Sequence, residues 1–351
     1  MDESKLLYIG PLAIDNTCYS RLAALRGLTP SICTLDKCTV LQPHSSRFAA
    51  LAELLLGRSV RLNVANRSIL RVAQECRARI VWIDKGDWVF PKTVKQLQSS
   101  GVRVVLHTTD SLRPRQKGLY IQQRFARVNA ELVDVFITTN ERDNAYLLPR
   151  LGLRLRLSRM GYDAKRFSPT GANHSSPAEH LRSELCFVGH YEPQTGRFVE
   201  ALIAAGLPVT VYGGSDWCRS AVGRKLGAAL RPPVWGDDYV SAIRGARIGL
   251  CFLSAWNYNL TTVRSFEIPA CGTLLLAMHT VEHEKLYSEG KEAVFFRGTD
   301  SLVLHSRQLL ADDKQRSSIA KAGMTRCLSS RYSWDDVVSD DWAAVTSSLG
   351  L

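Results

Sequence analysis

Short apolar runs bounded by turn residues recur along this chain, separated by stretches whose apolar residues follow helical spacing. Such runs read as strands buried on both faces, and their alternation with helices predicts parallel sheets in an α/β fold. Two series are visible. The first opens with a strand over Lys5 to Ile9 that stops at Gly10-Pro11, followed by a helix from Asn16 to Leu25. Strands over Ile80 to Ile83, Val102 to His107 and Val133 to Thr138 follow, separated by helices starting near Pro91 and Glu141. The second series opens at Glu184 to Gly189 and continues as a helix over Thr195 to Ala205. Its further strands lie at Val209 to Tyr212, Ile248 to Leu253, Thr273 to Ala277 and Ala293 to Phe296. Each series can close its own doubly wound sheet.

The segment Ser168-Pro169-Thr170-Gly171-Ala172-Asn173-His174-Ser175-Ser176-Pro177 is a linker by composition. It divides the chain into an N-terminal domain (1–167), a linker (168–183) and a C-terminal domain (184–333), with a closing helix in 334–351 over Trp334 to Leu349. A chain of 351 residues with 45% hydrophobic content can fill two cores of ordinary size. The polar N-terminus lacks the pattern of a signal peptide, and no apolar run approaches the ~20 residues of a membrane span, so a cytoplasmic location is expected. Nine scattered cysteines without a C-x-x-C pair argue against a disulfide framework or a zinc ribbon.

Arg264-Ser265-Phe266-Glu267-Ile268-Pro269-Ala270-Cys271-Gly272 places a lone carboxylate near the start of a short helix that runs into an apolar strand. Arg264 and Glu267 are three apart, on one helix face. A carboxylate there can accept two ribose hydroxyls, and a guanidinium can meet phosphate. Gly272 supplies a left-handed C-cap, and Pro269 is expected in the first turn, where its missing N–H costs little. The plain alternative makes Glu267 an exposed residue paired with Arg264.

The stretch resembles the donor-site signature of GT-B glycosyltransferases, and specifically the CgeB-like, spore-maturation-protein-like branch of the glycosyltransferase group 1 proteins. There an R-x-F-E-x-x-A-C-G segment precedes an apolar strand, an acidic helix and a G-K-E-A-V-F-F-like strand. The continuation here is Thr280 to Leu286, then Glu289-Gly290-Lys291-Glu292-Ala293-Val294-Phe295-Phe296. The resemblance implies a GT-B fold, two Rossmann-like domains facing a cleft, with a nucleotide-sugar donor on the second and the last helix crossing back to the first.

Phe187-Val188-Gly189-His190-Tyr191-Glu192-Pro193 with Arg197 resembles the F-V-G-x-x-x-P segment that opens the donor domain. Gly189, His190 and Tyr191 become donor-site candidates, because a glycine after the strand lets backbone N–H groups approach phosphate. Arg197 either adds charge for the diphosphate or is a solvated helix residue. Tyr212-Gly213-Gly214 with Trp217 falls beside the nucleotide base in similar proteins; Tyr212 or Trp217 could stack there, or the glycines only make a turn. Related retaining enzymes carry a glutamate eight residues before the ribose-binding glutamate, and here that position is Asn259. Sugar contact then falls to Asn259, Thr261 or Thr262.

In the N-terminal half, Trp82 to Asp87 and His107-Thr108-Thr109-Asp110 fall at strand ends and resemble the family's V-x-K-G and acidic loops; Asp15 is a third candidate. Lys85, His107 and Asp110 are the catalytic candidates. Inverting transfer needs a base at the acceptor hydroxyl, Asp110 or His107. Retaining transfer needs none, and the protein then positions the substrates and stabilises the departing diphosphate.

No metal or other cofactor is expected: Arg, Lys and a helix N-terminus serve the diphosphate in GT-B enzymes. Asp237-Asp238 reads as N-terminal helix charge. His279 and His283 lack the H-E-x-x-H order and a third ligand.

Charge is uneven. Residues 1–165 carry 26 Lys+Arg against 14 Asp+Glu, whereas residues 166–351 carry 19 of each. The basic half implies an anionic partner: a leaflet surface, a polyprenyl-phosphate or lipopolysaccharide acceptor, or nucleic acid. Three functions fit: a transferase acting on a cell-envelope glycan or lipid-linked acceptor at the inner membrane face, a DNA-modifying glucosyltransferase, and a non-catalytic sugar-nucleotide binding protein.

Overall fold

The computed structural model describes residues 5–44, 46–169 and 177–351. Positions 170–176 of the expected linker lie outside them. The chain divides into two compact units. One holds the residues up to Arg159 with Trp256–Tyr258 and Asp335–Leu351; the other holds Met160–Ala255 and Asn259–Trp334.

In the first unit, β1 (Leu6–Gly10), β2 (Ile32–Asp36), β3 (Ile80–Asp84), β4 (Arg103–Thr108), β5 (Val135–Thr138) and β6 (Leu155–Leu157) form one sheet in the order β2-β1-β3-β4-β5-β6. Every pairing is parallel. Burial explains the composition, since β1, β3 and β5 have no exposed residue and read as continuous apolar runs. Helices cover the sheet, and Val94, Leu97, Ala126 and Leu147 join Ile9, Ile83 and Leu106 in its core. Their starts are fixed by side-chain caps: Asn16 accepts from Cys18 N–H, Ser59 from Leu62 N–H and Asn140 from Asp143 N–H.

In the second unit, β7 (Ser183–Val188), β8 (Val209–Tyr212), β9 (Leu230–Arg231), β10 (Ala246–Cys251), β11 (Leu274–Met278) and β12 (Val294–Phe296) run β12-β11-β10-β7-β8-β9, again all parallel. Its core joins Phe187, Phe198, Phe252 and Phe296 to Leu250, Leu276 and Leu302. From β7 the chain steps outward to β8 and β9, then returns to the other side of β7 as β10. That reversal makes the carboxyl ends of β7 and β10 a topological switch point, where open α/β sheets hold their ligands.

The nine cysteines are free thiols, and among the described residues no helix is long and apolar enough to cross a membrane. The last helix, Trp334–Leu349, packs on the first unit, where Asp341 accepts from Arg156 and Ser158 and Trp342 lies 6.5 Å from Trp82.

Candidate functional site

Two loops meet at the switch point of the second unit. Gly189 to Glu192 follows β7, and Phe252 to Ala255 follows β10. Glu192 ties them together: its buried carboxylate accepts the Ser254 hydroxyl at 2.5 Å and the Ala255 N–H at 2.9 Å. The exposed His190 ring lies 3.1 Å from the same carboxylate. Burial alone would raise the Glu192 carboxyl, but the bonds to His190 and Ser254 reverse this and hold it below the ordinary glutamate value. Glu192 also sits at the N-cap of the helix Pro193–Ala204, where negative charge is favourable. In the sequence, Glu192 stands in the Phe187 to Pro193 segment with no role attached to it. Its only signal was an acidic residue before a helix-starting proline.

His190 and Tyr191 fall on this loop as expected. Tyr191 N–H donates to Asp216 at 2.6 Å, and its ring fills the space left by Gly196, where a Cβ would stand 2.6 Å from it. Arg197 projects from the exposed side of the helix.

Tyr212 and Trp217 correct the expected stacking platform. Tyr212 is 2% exposed and Trp217 fully buried, so neither ring can meet a base. The Trp217 indole N–H donates to the Gly189 carbonyl at 2.8 Å, and Arg231 donates to the Tyr212 hydroxyl at 2.9 Å. Gly213 is needed because a Cβ there would stand 2.1 Å from the Trp217 ring. These groups brace the β7 loop from beneath.

The helix Arg264–Ala270 buries every residue from Ser265 to Ala270. Gly249 in β10 makes room, since a Cβ would stand 2.6 Å from Ile268. Glu267 is 6% exposed and accepts the Tyr239 hydroxyl at 2.6 Å, which excludes the exposed, Arg264-paired alternative. Burial pushes its carboxyl up to about 7, against the opposing pull of the Tyr239 hydrogen bond and the Arg264 charge. Arg264 is half-buried 5.7 Å from the Phe187 ring centroid, and its Nε is buried with no hydrogen-bond partner. A buried guanidinium N–H without a protein acceptor is suited to an anionic ligand.

Pro269 lies in the last turn of this helix, not the first. Its missing N–H leaves the Ser265 carbonyl without a helical donor, and the Tyr287 hydroxyl takes that carbonyl at 3.0 Å. The Ser265 hydroxyl in turn lies 2.8 Å from His283 Nε2, while His283 Nδ1 lies 2.8 Å from the Met278 carbonyl. A carbonyl can only accept, so Nδ1 carries the proton and Ser265 donates to Nε2. Burial pushes the imidazole down to about 4, which keeps it neutral. His283 thus anchors the donor-site helix, and the His279 ring turns to Glu284 at 2.6 Å. Asn259 and Thr262 are half-buried just before this helix, and Thr262 N–H donates to Ser265 Oγ. Gly189, His190 and Tyr191 on one segment and Asn259 to Glu267 on the other therefore flank the ends of β7 and β10.

At the strand ends of the first unit, the three catalytic candidates separate. Lys85 and Asp110 face each other at 3.6 Å, partly exposed, and the Asp110 charge foremost raises the Lys85 ammonium. Lys85 holds a left-handed backbone, φ 72°, while its N–H donates to the His107 carbonyl at 2.8 Å. The His107 ring corrects the expectation of an acceptor base. It is fully buried, lies 6.2 Å from the Trp82 ring, and its Nδ1 stands 3.5 Å from Asp84.

Asp84 centres a network the sequence did not disclose: Arg21 grips it with two N–H bonds of 2.8 and 2.9 Å, and Tyr8 donates its hydroxyl. Burial would raise the Asp84 carboxyl, but the Arg21 charge, the largest opposing cause, holds it far below the carboxylate range.

A family described as "Glycosyl transferase-like" matches residues 194–340. Among solved structures, a sucrose-phosphate synthase from Thermosynechococcus elongatus aligns at 13% identity over 99% of both chains, TM-score 0.71. Anabaena Alr3699/HepE in complex with UDP-glucose aligns at 12% identity over 98% of this chain and 99% of that one, TM-score 0.69. A glycosyltransferase from Rickettsia africae ESF-5 aligns at 10% identity over 99% of both, TM-score 0.63. Comparison with curated protein sequences gives no match. The chain has the GT-B fold of two Rossmann-like units, and from residue 194 to 340 it is similar to the glycosyl transferase-like family.

Proposed function

We propose that this protein is a glycosyltransferase of the CgeB-like, group 1 type that takes its sugar from a nucleotide-activated donor held at the β7/β10 switch point. The observation that carries the reading is Arg264, whose buried Nε has no partner three residues before the buried carboxyl of Glu267. Arg264 would meet the diphosphate, and Glu267 would accept the ribose hydroxyls after losing its proton. Gly189, His190 and Tyr191 would contribute backbone and side-chain contacts on the opposite loop, and Asn259 or Thr262 would contact the sugar. The complex of HepE with UDP-glucose supports a uridine nucleotide as the first donor to try. With a guanidinium at the diphosphate, the reaction runs without a metal.

In the first unit, the partly exposed Asp110 would take the acceptor proton in inverting transfer, with Lys85 fixing its charge and position. The basic first unit fits an anionic glycan or lipid-linked acceptor at the cytoplasmic face of a membrane. The reading is tested by melting curves with UDP-, GDP-, ADP- and dTDP-sugars, followed by calorimetry. One donor class should raise the melting temperature, and Arg264→Ala and Glu267→Ala should each weaken it about tenfold or more while the fold persists. A donor bound equally by both variants overturns the site, and a donor bound but never consumed makes the chain a binding protein instead.

A further inference from the structure

The helix Arg47–Leu56 in the first unit has no buried residue. Phe48, Leu51, Ala52, Leu55 and Leu56 recur at i, i+3, i+4, i+7 and i+8, a single helical stripe, and all five are exposed. Phe48 is 85% exposed, Leu51 53%, Leu55 59% and Leu56 71%. Isolated exposed leucines are ordinary, but a whole apolar stripe turned to solvent is not. The opposite face fixes this orientation, because Glu53 is bound there by Arg61 and Ser59 and Ala49, Ala50 and Leu54 are half-buried. The ridge continues into the next helix, Val60–Glu75, through Val60, 79% exposed, and Val64, 44% exposed.

The charge around the ridge has one sign. Residues 37–79 hold eight Lys and Arg against two Glu, and both acids are engaged, Glu53 by Arg61 and Glu75 by Arg71. Arg47, Arg58 and Arg67 are exposed. Two open cavities share Asn63 and Lys92: one of about 440 Å³ also lined by Gly57 and Arg58, the other of about 410 Å³ also lined by Val60 and Arg67.

We propose that this ridge is a docking surface for an anionic lipid bilayer, with Phe48, Leu51, Leu55, Leu56 and Val60 entering the acyl boundary and Arg58, Arg67 and Lys92 meeting headgroup phosphates. An apolar stripe rimmed by cations is the composition of a helix that lies in the interface plane. Nucleic acid would use the cations and leave the stripe unexplained. The ridge is built wholly from residues of the first unit.

The test is flotation of the full chain with vesicles of phosphatidylcholine alone or with about a third phosphatidylglycerol. The protein should float with the anionic vesicles, less so at high salt. Leu51→Glu/Leu55→Glu and Arg58→Glu/Arg67→Glu should each reduce this about tenfold or more. Because all four side chains are exposed, both variants should keep the wild-type melting temperature and its donor-induced shift, which separates a failure here from a failure of the donor site. The proposal is overturned if the wild type stays unbound at low salt, or if the leucine variant floats as well as the wild type. It is also overturned if sedimentation shows a dimer that the leucine variant splits, since the stripe would then cover a second copy.

Discussion

The Tyr239 hydroxyl donates to Glu267 at 2.6 Å, so the partner of this carboxyl is a half-buried phenol and not a surface cation. The folded value of about 7 lies above the ordinary 4.5, and the protonated form therefore favours folding. The contribution is complete below about pH 4.5, is withdrawn as the pH rises and is gone above about 7; two to three units correspond to about 3 kcal/mol. Glu267→Gln should flatten this part of the stability profile and raise the unfolding midpoint of the free protein at pH 8. Parallel profiles for variant and wild type would assign the titration to another group.

Glu192 works in the opposite sense. Its folded value is depressed, so its contribution is present above the ordinary glutamate value and is lost as the pH falls through the folded one. Glu192→Ala should cost about 2 kcal/mol by denaturant unfolding near pH 7, because Ser254 and Ala255 lose a charged acceptor. His190→Ala should cost far less, since that ring is 65% exposed. Equal midpoints for Glu192→Ala and wild type would remove the clamp between the two loops.

The clusters of the first unit predict a division of labour. Arg21→Met strands the fully buried Asp84 charge and should destabilise by about 3–5 kcal/mol. Asp110→Asn, at a partly exposed pair, should leave the melting temperature nearly unchanged and lower turnover. His107→Ala should cost about 2 kcal/mol and lose activity only in proportion to unfolding. An intact melting curve with lost turnover would return His107 to the reacting groups.

Chelation should leave turnover intact, because the proposed counter-charge for the diphosphate is a guanidinium. Loss of activity with EDTA and its return with manganese would require a metal that Arg264 does not replace.

The central strands were legible because burial on both faces makes them continuous apolar runs: β8 falls on the expected residues and β1, β3 and β11 within one residue of them. The rim was not. β2, β6 and β9 escaped notice, since β2 mixes Cys33 and Asp36 with its apolar residues and β6 and β9 have three and two residues, too few for a period. The paired helices Arg47–Leu56 and Val60–Glu75 were missed as well. At the site, Glu267 and Arg264 were found through local spacing, whereas Tyr239 and the His283 anchor were not, because their contacts span 28 and 18 residues. The error at Tyr212, Trp217 and His107 has one cause: a strand-end position says where a backbone stops, not which way a side chain turns.

The sheet rims carry a consequence for handling the protein. An exposed strand edge is a template on which other chains can grow, and the apolar central strands would be hazardous in that position. Here β6, β9 and β12 close three of the four margins with only three, two and three residues, and β9 ends in Arg231. So little unpaired backbone gives an incoming strand almost no purchase, and the folded protein should remain dispersed at concentrations where fully exposed edges would seed fibrils.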